Sequence, residues 1–97
     1  MSDEPTLGQT GQILVTLAAA RQYAAARGLG VEEARRELTI LLGGARRTST
    51  PPRDGLEGWR ARSRPLGVDV DAQVLREPAL ATVTHVHARA RRPRRRP

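Results

Sequence analysis

From Gln12 to Arg27 the apolar positions Ile13, Leu14, Leu17, Ala20 and Ala24 recur at helical spacing, with Arg21 and Arg27 off that face. Ala18 to Ala26 is dominated by strong helix formers, and Gly28 supplies the left-handed stop. These signals predict a first helix over residues 12–27. The same residues allow a second description, a short strand from Ile13 to Thr16 feeding a shorter helix. Val31, Ala34, Leu38, Leu41 and Leu42 form the stripe of a second helix over 31–43, opened by Glu32 and Glu33 and closed by Gly43-Gly44. Gly28-Leu29-Gly30 joins the two as a helical hairpin.

The pattern changes after residue 44. Arg46, Arg47, a Ser/Thr run, Pro51-Pro52 and Asp54-Gly55 read as a loop over 44–57, because tandem prolines enter neither a helix interior nor a central strand. Beyond it the period is two. Arg60, Arg62 and Arg64 alternate with Trp59, Ala61 and Ser63; Asp69, Asp71 and Gln73 alternate with Val68, Val70, Ala72 and Val74. Strands are expected over 58–64, 68–76 and 79–88. A four-residue turn, Arg64-Pro65-Leu66-Gly67, sets Ser63 opposite Val68, Arg62 opposite Asp69 and Arg60 opposite Asp71, and keeps charged and apolar residues on separate faces. In the third strand Leu80, Thr82, Thr84 and Val86 share one face and Ala81, Val83, His85 and His87 the other, with neither marked as the buried one. The expectation is an α+β domain over residues 11–88: two N-terminal helices packed on a three-stranded antiparallel β-meander, after a flexible lead-in over 1–10 and before a disordered Arg/Pro tail over 89–97.

Composition narrows the chemistry. The 97 residues hold no Cys, which excludes disulfides, zinc–thiolate sites and thiol nucleophiles. The longest apolar run, Ile13 to Ala20, is too short to cross a membrane, and Met1-Ser2-Asp3-Glu4-Pro5 is acidic where a secretory leader is basic, so a cytoplasmic protein is expected. All 17 basic residues are arginine, and Ala, Arg, Gly and Pro make up 47 of 97, a composition that codon bias in a GC-rich bacterium, phage or plasmid produces by itself.

The net charge of +7 is unevenly placed. Residues 1–45 sum to −1, 46–64 to +4, 65–88 to −2, and the last nine hold six arginines and no acid. Clustered cations favour a polyanion partner, nucleic acid being the commonest. The candidate phosphate contacts are Arg46 and Arg47 in the loop, Arg60, Arg62 and Arg64 on the first strand, and Arg89, Arg91, Arg92, Arg94, Arg95 and Arg96 in the tail. Against this, Asp69 and Asp71 neutralise the strand arginines as ordinary surface pairs. The end of the third strand is expected about 10 Å from Arg64, two strand spacings away, so stripe and tail share one end of the sheet.

Other constellations are weaker. His85 and His87 point one way, but a metal needs a third ligand, for which only Asp69 or Asp71 is placed; no metal or cofactor is expected. Ser63, His85 and Asp69 lack a nucleophile elbow, Gly28-x-Gly30 is not a dinucleotide fingerprint, and a helix-turn-helix reading of Tyr23 to Leu42 puts Glu32 and Glu33 where phosphate would lie.

Two helices followed by an antiparallel sheet in a small, very basic chain is similar to the RelE/ParE type of ribosome- or gyrase-directed toxin. That resemblance implies an opening strand, which could only be Ile13 to Thr16, and RNA-cleaving side chains on the sheet, for which Arg60, Arg62, Arg76, His85 and His87 are the candidates. The leading expectation remains a non-enzymatic nucleic-acid-associated or regulatory protein. The alternatives are such a toxin and an inhibitor or adaptor that binds a protein partner through its helical face.

Overall fold

The computed structural model describes residues 4–48 and 54–90. In chain order the elements are α1 (Leu7–Thr10), β1 (Gly11–Val15), α2 (Leu17–Arg27), α3 (Val31–Gly43), β2 (Arg46–Arg47), β3 (Leu56–Ser63), β4 (Val68–Glu77) and β5 (Ala79–Ala90). The strands form one mixed five-stranded sheet in the order β1-β5-β4-β3-β2, with β1 parallel to β5 and the other pairs antiparallel.

The three-stranded meander therefore has a strand added on each side, and the expected helix over 12–27 is a strand followed by a shorter helix. Long-range pairing decides this. Gly11 to Val15 pairs residue by residue with Ala79 to Val83. Gly11 takes φ 148°, and a Cβ there would sit 2.5 Å from the Ala79 carbonyl carbon, so glycine lets the two chain segments meet. Thr16 then switches the chain to helix: its hydroxyl oxygen accepts from the Ala19 N–H and donates to the Val83 carbonyl. α2 ends as the sequence predicts, with Gly28 left-handed at φ 70°.

Residues 4–10 are not simply a lead-in. α1 forms there, the Gln9 side chain accepts from the Thr6 N–H, Leu7 is fully buried, and the Leu7 N–H donates to the Ala45 carbonyl. The 44–57 loop likewise contributes β2 and the first residues of β3, and β5 takes Arg89 and Ala90 out of the tail.

The β3–β4 register is the one the four-residue turn predicts, Ser63↔Val68, Arg62↔Asp69 and Arg60↔Asp71. β5 departs from period two. Gln73 pairs with His85 but Val74 with Val83, so Thr84 is an extra residue, a β-bulge whose hydroxyl donates to the Gln73 carbonyl. Ala81, Val83 and Val86 are consequently buried on one side, and His85 and His87 are exposed on the other. Neither face division read from strict alternation holds.

One sheet face carries the core. Trp59, Ala61, Val70, Ala72, Val74, Val83 and Val86 pack there with Tyr23, Ala20 and Ala24 of α2 and Ala34, Leu38 and Leu42 of α3. α2 also guards the edge of β5 beyond the end of β1, where the Gln22 side chain accepts from the Val86 N–H at 2.7 Å. The helices are tied by Glu37, which accepts from the Tyr23 hydroxyl and from Arg27 Nε at 3.0 Å. Burial, then the bond to Glu37, pushes the Tyr23 hydroxyl up to about 12, and the Arg27 guanidinium holds Glu37 below the usual carboxylate range. No helix among the described residues is long and apolar enough to cross a membrane.

Candidate functional site

Among the described residues no helix lies on the opposite sheet face, and its side chains fall into rows set by the strand registers. One row runs Arg62–Asp69–Arg89. The next runs Arg46–Arg60–Asp71–His87, and a third Gly58–Gln73–His85. Further along, Leu56, Leu75, Thr82 and Leu14 form an apolar row. The open face is thus charged at the end nearest the β3–β4 turn and apolar at the other.

Within the charged end Asp71 holds two cations. Arg60 Nε donates to Asp71 Oδ1 at 2.7 Å, and Arg89 Nη2 lies 3.5 Å from Asp71 Oδ2. The bond from Arg60 to Asp71 raises the guanidinium above its ordinary value, so it stays charged under all accessible conditions. Arg46 stands directly opposite Arg60. Like charges facing each other across a strand pair oppose pairing unless an anion lies between them. With the described residues of this face counted, four arginines surround two carboxylates.

Of the other candidates, Arg64 is exposed in the β3–β4 turn, beyond Ser63 and two strands from the end of β5 at Ala90. Arg47 and Arg76 belong elsewhere. Both pair with Glu57, at 3.5 Å and 2.9 Å, and the Arg76 guanidinium lies 6.0 Å from the centre of the Trp59 ring, on the helix side of the sheet. Their register neighbours are apolar core positions, so alternation alone removes them from the arginine face. Arg91, Arg92, Arg94, Arg95 and Arg96 lie outside the described residues.

His85 and His87 both reach the open face because of the Thr84 bulge. His85 Nδ1 is 3.0 Å from the Thr84 hydroxyl, whose hydrogen goes to the Gln73 carbonyl. That contact ties the imidazole to the bulge. Ser63 does not join them: its hydroxyl accepts from the Leu66 N–H in the turn. No group of three or more His, Asp or Glu among the described residues is placed to hold a metal ion.

Sequence reasoning passed over Gly58, Gln73 and Thr48. Gly58 sits mid-strand, and a Cβ there would lie 2.6 Å from the Thr48 hydroxyl oxygen. A glycine inside an alternating strand is the signal that marks such a close approach. Together with Arg60, Asp71 and the two histidines, these residues line an open depression of about 300 Å³ on the sheet.

No protein-family model, curated protein or solved structure shows significant similarity to this chain.

Proposed function

We propose that the chain is a small non-enzymatic nucleic-acid-associated protein that grips phosphates with its open sheet face. The observation that carries this reading is the Arg46–Arg60 pair beside Arg62 and Arg89 on the open face. Guanidiniums facing each other are a poor arrangement for the isolated protein and a good one for a bridging phosphate. β5 ends at Ala90 beside the β3–β4 turn, so Arg89 and Arg64 lie at one end of the sheet.

Fluorescence anisotropy against duplex DNA and single-stranded RNA across a salt series tests it. Each neutralised phosphate steepens the fall of log K with log salt by about 0.9 on duplex and about 0.7 on single strands. The Arg46→Gln/Arg60→Gln/Arg62→Gln variant should lose about two of these contacts. A chain ending at Ala90 separates the face from the tail. Absence of salt-dependent binding, or a slope that the triple variant leaves unchanged, overturns the reading.

A second reading, a RelE/ParE-like ribonuclease, is favoured by two observations. The opening strand which that resemblance implies exists as β1, and His85 lines the same depression as Arg60. In it His85 would take the proton of an attacking ribose 2′-hydroxyl as its oxygen bonds to phosphorus, Arg60 would stabilise the phosphorane charge, and the P–O5′ bond would break, leaving a 2′,3′-cyclic phosphate and a 5′-oxygen that takes a proton from water. Cleavage of RNA, lost in His85→Ala with binding retained, would establish it; binding without cleavage supports the first reading.

A further inference from the structure

The depression is built, rather than left over from a flat sheet. Gly58 contributes no side chain to the row Gly58–Gln73–His85, and Thr48 overhangs it from the β2 side, with N–H and hydroxyl both donating to the Gly58 carbonyl. Opposite, the Thr84 bulge turns His85 and His87 onto the face instead of into the core. The floor between them is Gln73, whose exposed carboxamide makes no hydrogen bond among the described residues, while its backbone pairs with both neighbouring strands. Arg60 and Asp71 close the side nearest the arginine rows.

These features have a common requirement. A volume of about 300 Å³ is at the small end of ligand sites and takes one small planar group, not a folded or paired one. The carboxamide offers one acceptor and two donors in a plane, which pair with the adjacent donor and acceptor on the exposed edge of an unpaired base. The imidazoles of His85 and His87 offer flat faces for stacking. Arg46 and Arg60 lie in the adjoining row and Arg62 in the row beyond it, on the side where a phosphate attached to that group would fall.

We infer that this depression accepts one unpaired base of a single-stranded nucleic acid, held at its edge by Gln73 and flanked by His85 and His87, while the neighbouring arginines hold its phosphate. The inference rests on the phosphate-binding reading above and adds a base-contacting element to it. It separates single strands from duplexes, because a base inside a paired stack cannot enter the depression.

The test compares three probes in anisotropy titrations at one salt concentration, in ribo and deoxyribo form. They are a short single strand with one adenosine among abasic sites, the wholly abasic strand with the same number of phosphates, and the strand with cytidine in place of adenosine. The adenosine strand should bind roughly tenfold more tightly than the abasic one, the scale of one stacked base. Gln73→Leu should reduce the gain of the adenosine and cytidine strands over the abasic one, and His85→Ala/His87→Ala should remove most of it. Neither should change affinity for the abasic strand or its salt slope. Both substitutions are at exposed positions, and an unaltered circular dichroism spectrum establishes that the fold survives them. Equal affinity for adenosine and abasic strands, with the salt slope intact, overturns the base pocket and leaves the phosphate reading standing. Loss of salt-dependent binding to every strand overturns both.

Discussion

Tyr23 provides the sharpest test of the helix packing. It is the only tyrosine, fully buried on α2, and its hydroxyl donates to Glu37 Oε2 on α3. Tyr23→Phe keeps the ring in the core and deletes one bond to a charged acceptor. Glu37 is not stranded by the change: Arg27 Nε remains 3.0 Å away, and the carboxylate side chain is 23% exposed to water. The loss should therefore fall at the lower end for bonds to charged groups, about 1.5 kcal/mol at neutral pH. The same hydroxyl makes stability depend on alkali. In the folded chain it keeps its proton to about pH 12, against 10.0 for an ordinary tyrosine. Between those values the unfolded chain binds fewer protons than the folded one, so stability declines as pH rises through the window. Two pH units correspond to about 2–3 kcal/mol at most. With one tyrosine present, the ultraviolet absorbance of the phenolate reads this group directly, folded and in urea, and Trp59 fluorescence reports the urea unfolding of both proteins. The wild type should lose stability above pH 10.0 and Tyr23→Phe should not. A folded-state titration coinciding with that in urea, or the same alkaline loss in both proteins, refutes the assigned contact.

The remaining expectations concern the sheet and the acid limb. Asp71→Asn removes the negative charge shared by Arg60 and Arg89 and leaves the open face one unit more positive; single-strand binding should tighten and its salt slope steepen by about 0.7, whereas weaker binding would show that Asp71 organises the arginines for the ligand. Deleting Thr84 removes the bulge and sets the two halves of β5 in conflict over which residues face the core, so cooperative thermal unfolding followed by Trp59 should be lost. Ala79 sits at φ 63° after Pro78, where a type II turn calls for glycine; Ala79→Gly should stabilise by about 0.5–1 kcal/mol in urea melts, relief of strain exceeding the added freedom of the unfolded chain. Glu37 is held low, chiefly by Arg27, so its contribution is present at neutral pH and disappears as acid takes the pH through its folded value; Glu37→Gln should flatten that part of the stability–pH curve.

Local chemistry was enough to place the elements whose limits are local. Glu32 and Glu33 open α3 by favouring the positive end of the helix, and Gly44 caps its end with its N–H on the Leu41 carbonyl. The β3–β4 register was legible because a one-residue slip would have put arginines and aspartates into the core. The arginine face follows from that register, and so does the pairing of Arg60 with Asp71.

What the chain could not announce by itself depends on partners far away in sequence. Ile13, Leu14 and Leu17 fit a helical stripe as well as a strand end, and only the parallel seat beside Ala79 to Val83 makes the first two extended. Arg46 and Arg47 form too short a strand to carry a period, and their faces are set by pairing with Arg60 and Trp59. The histidines are the plainest case. Strict alternation places His85 and His87 with the buried Ala81 and Val83; the single extra residue at Thr84 turns them to the open face, where the hydrogen bond to Gln73 and the packing of Val86 in the core make that arrangement the stable one. Composition and alternation determined that the protein has a charged sheet surface, and the tertiary pairing decided which side chains share it.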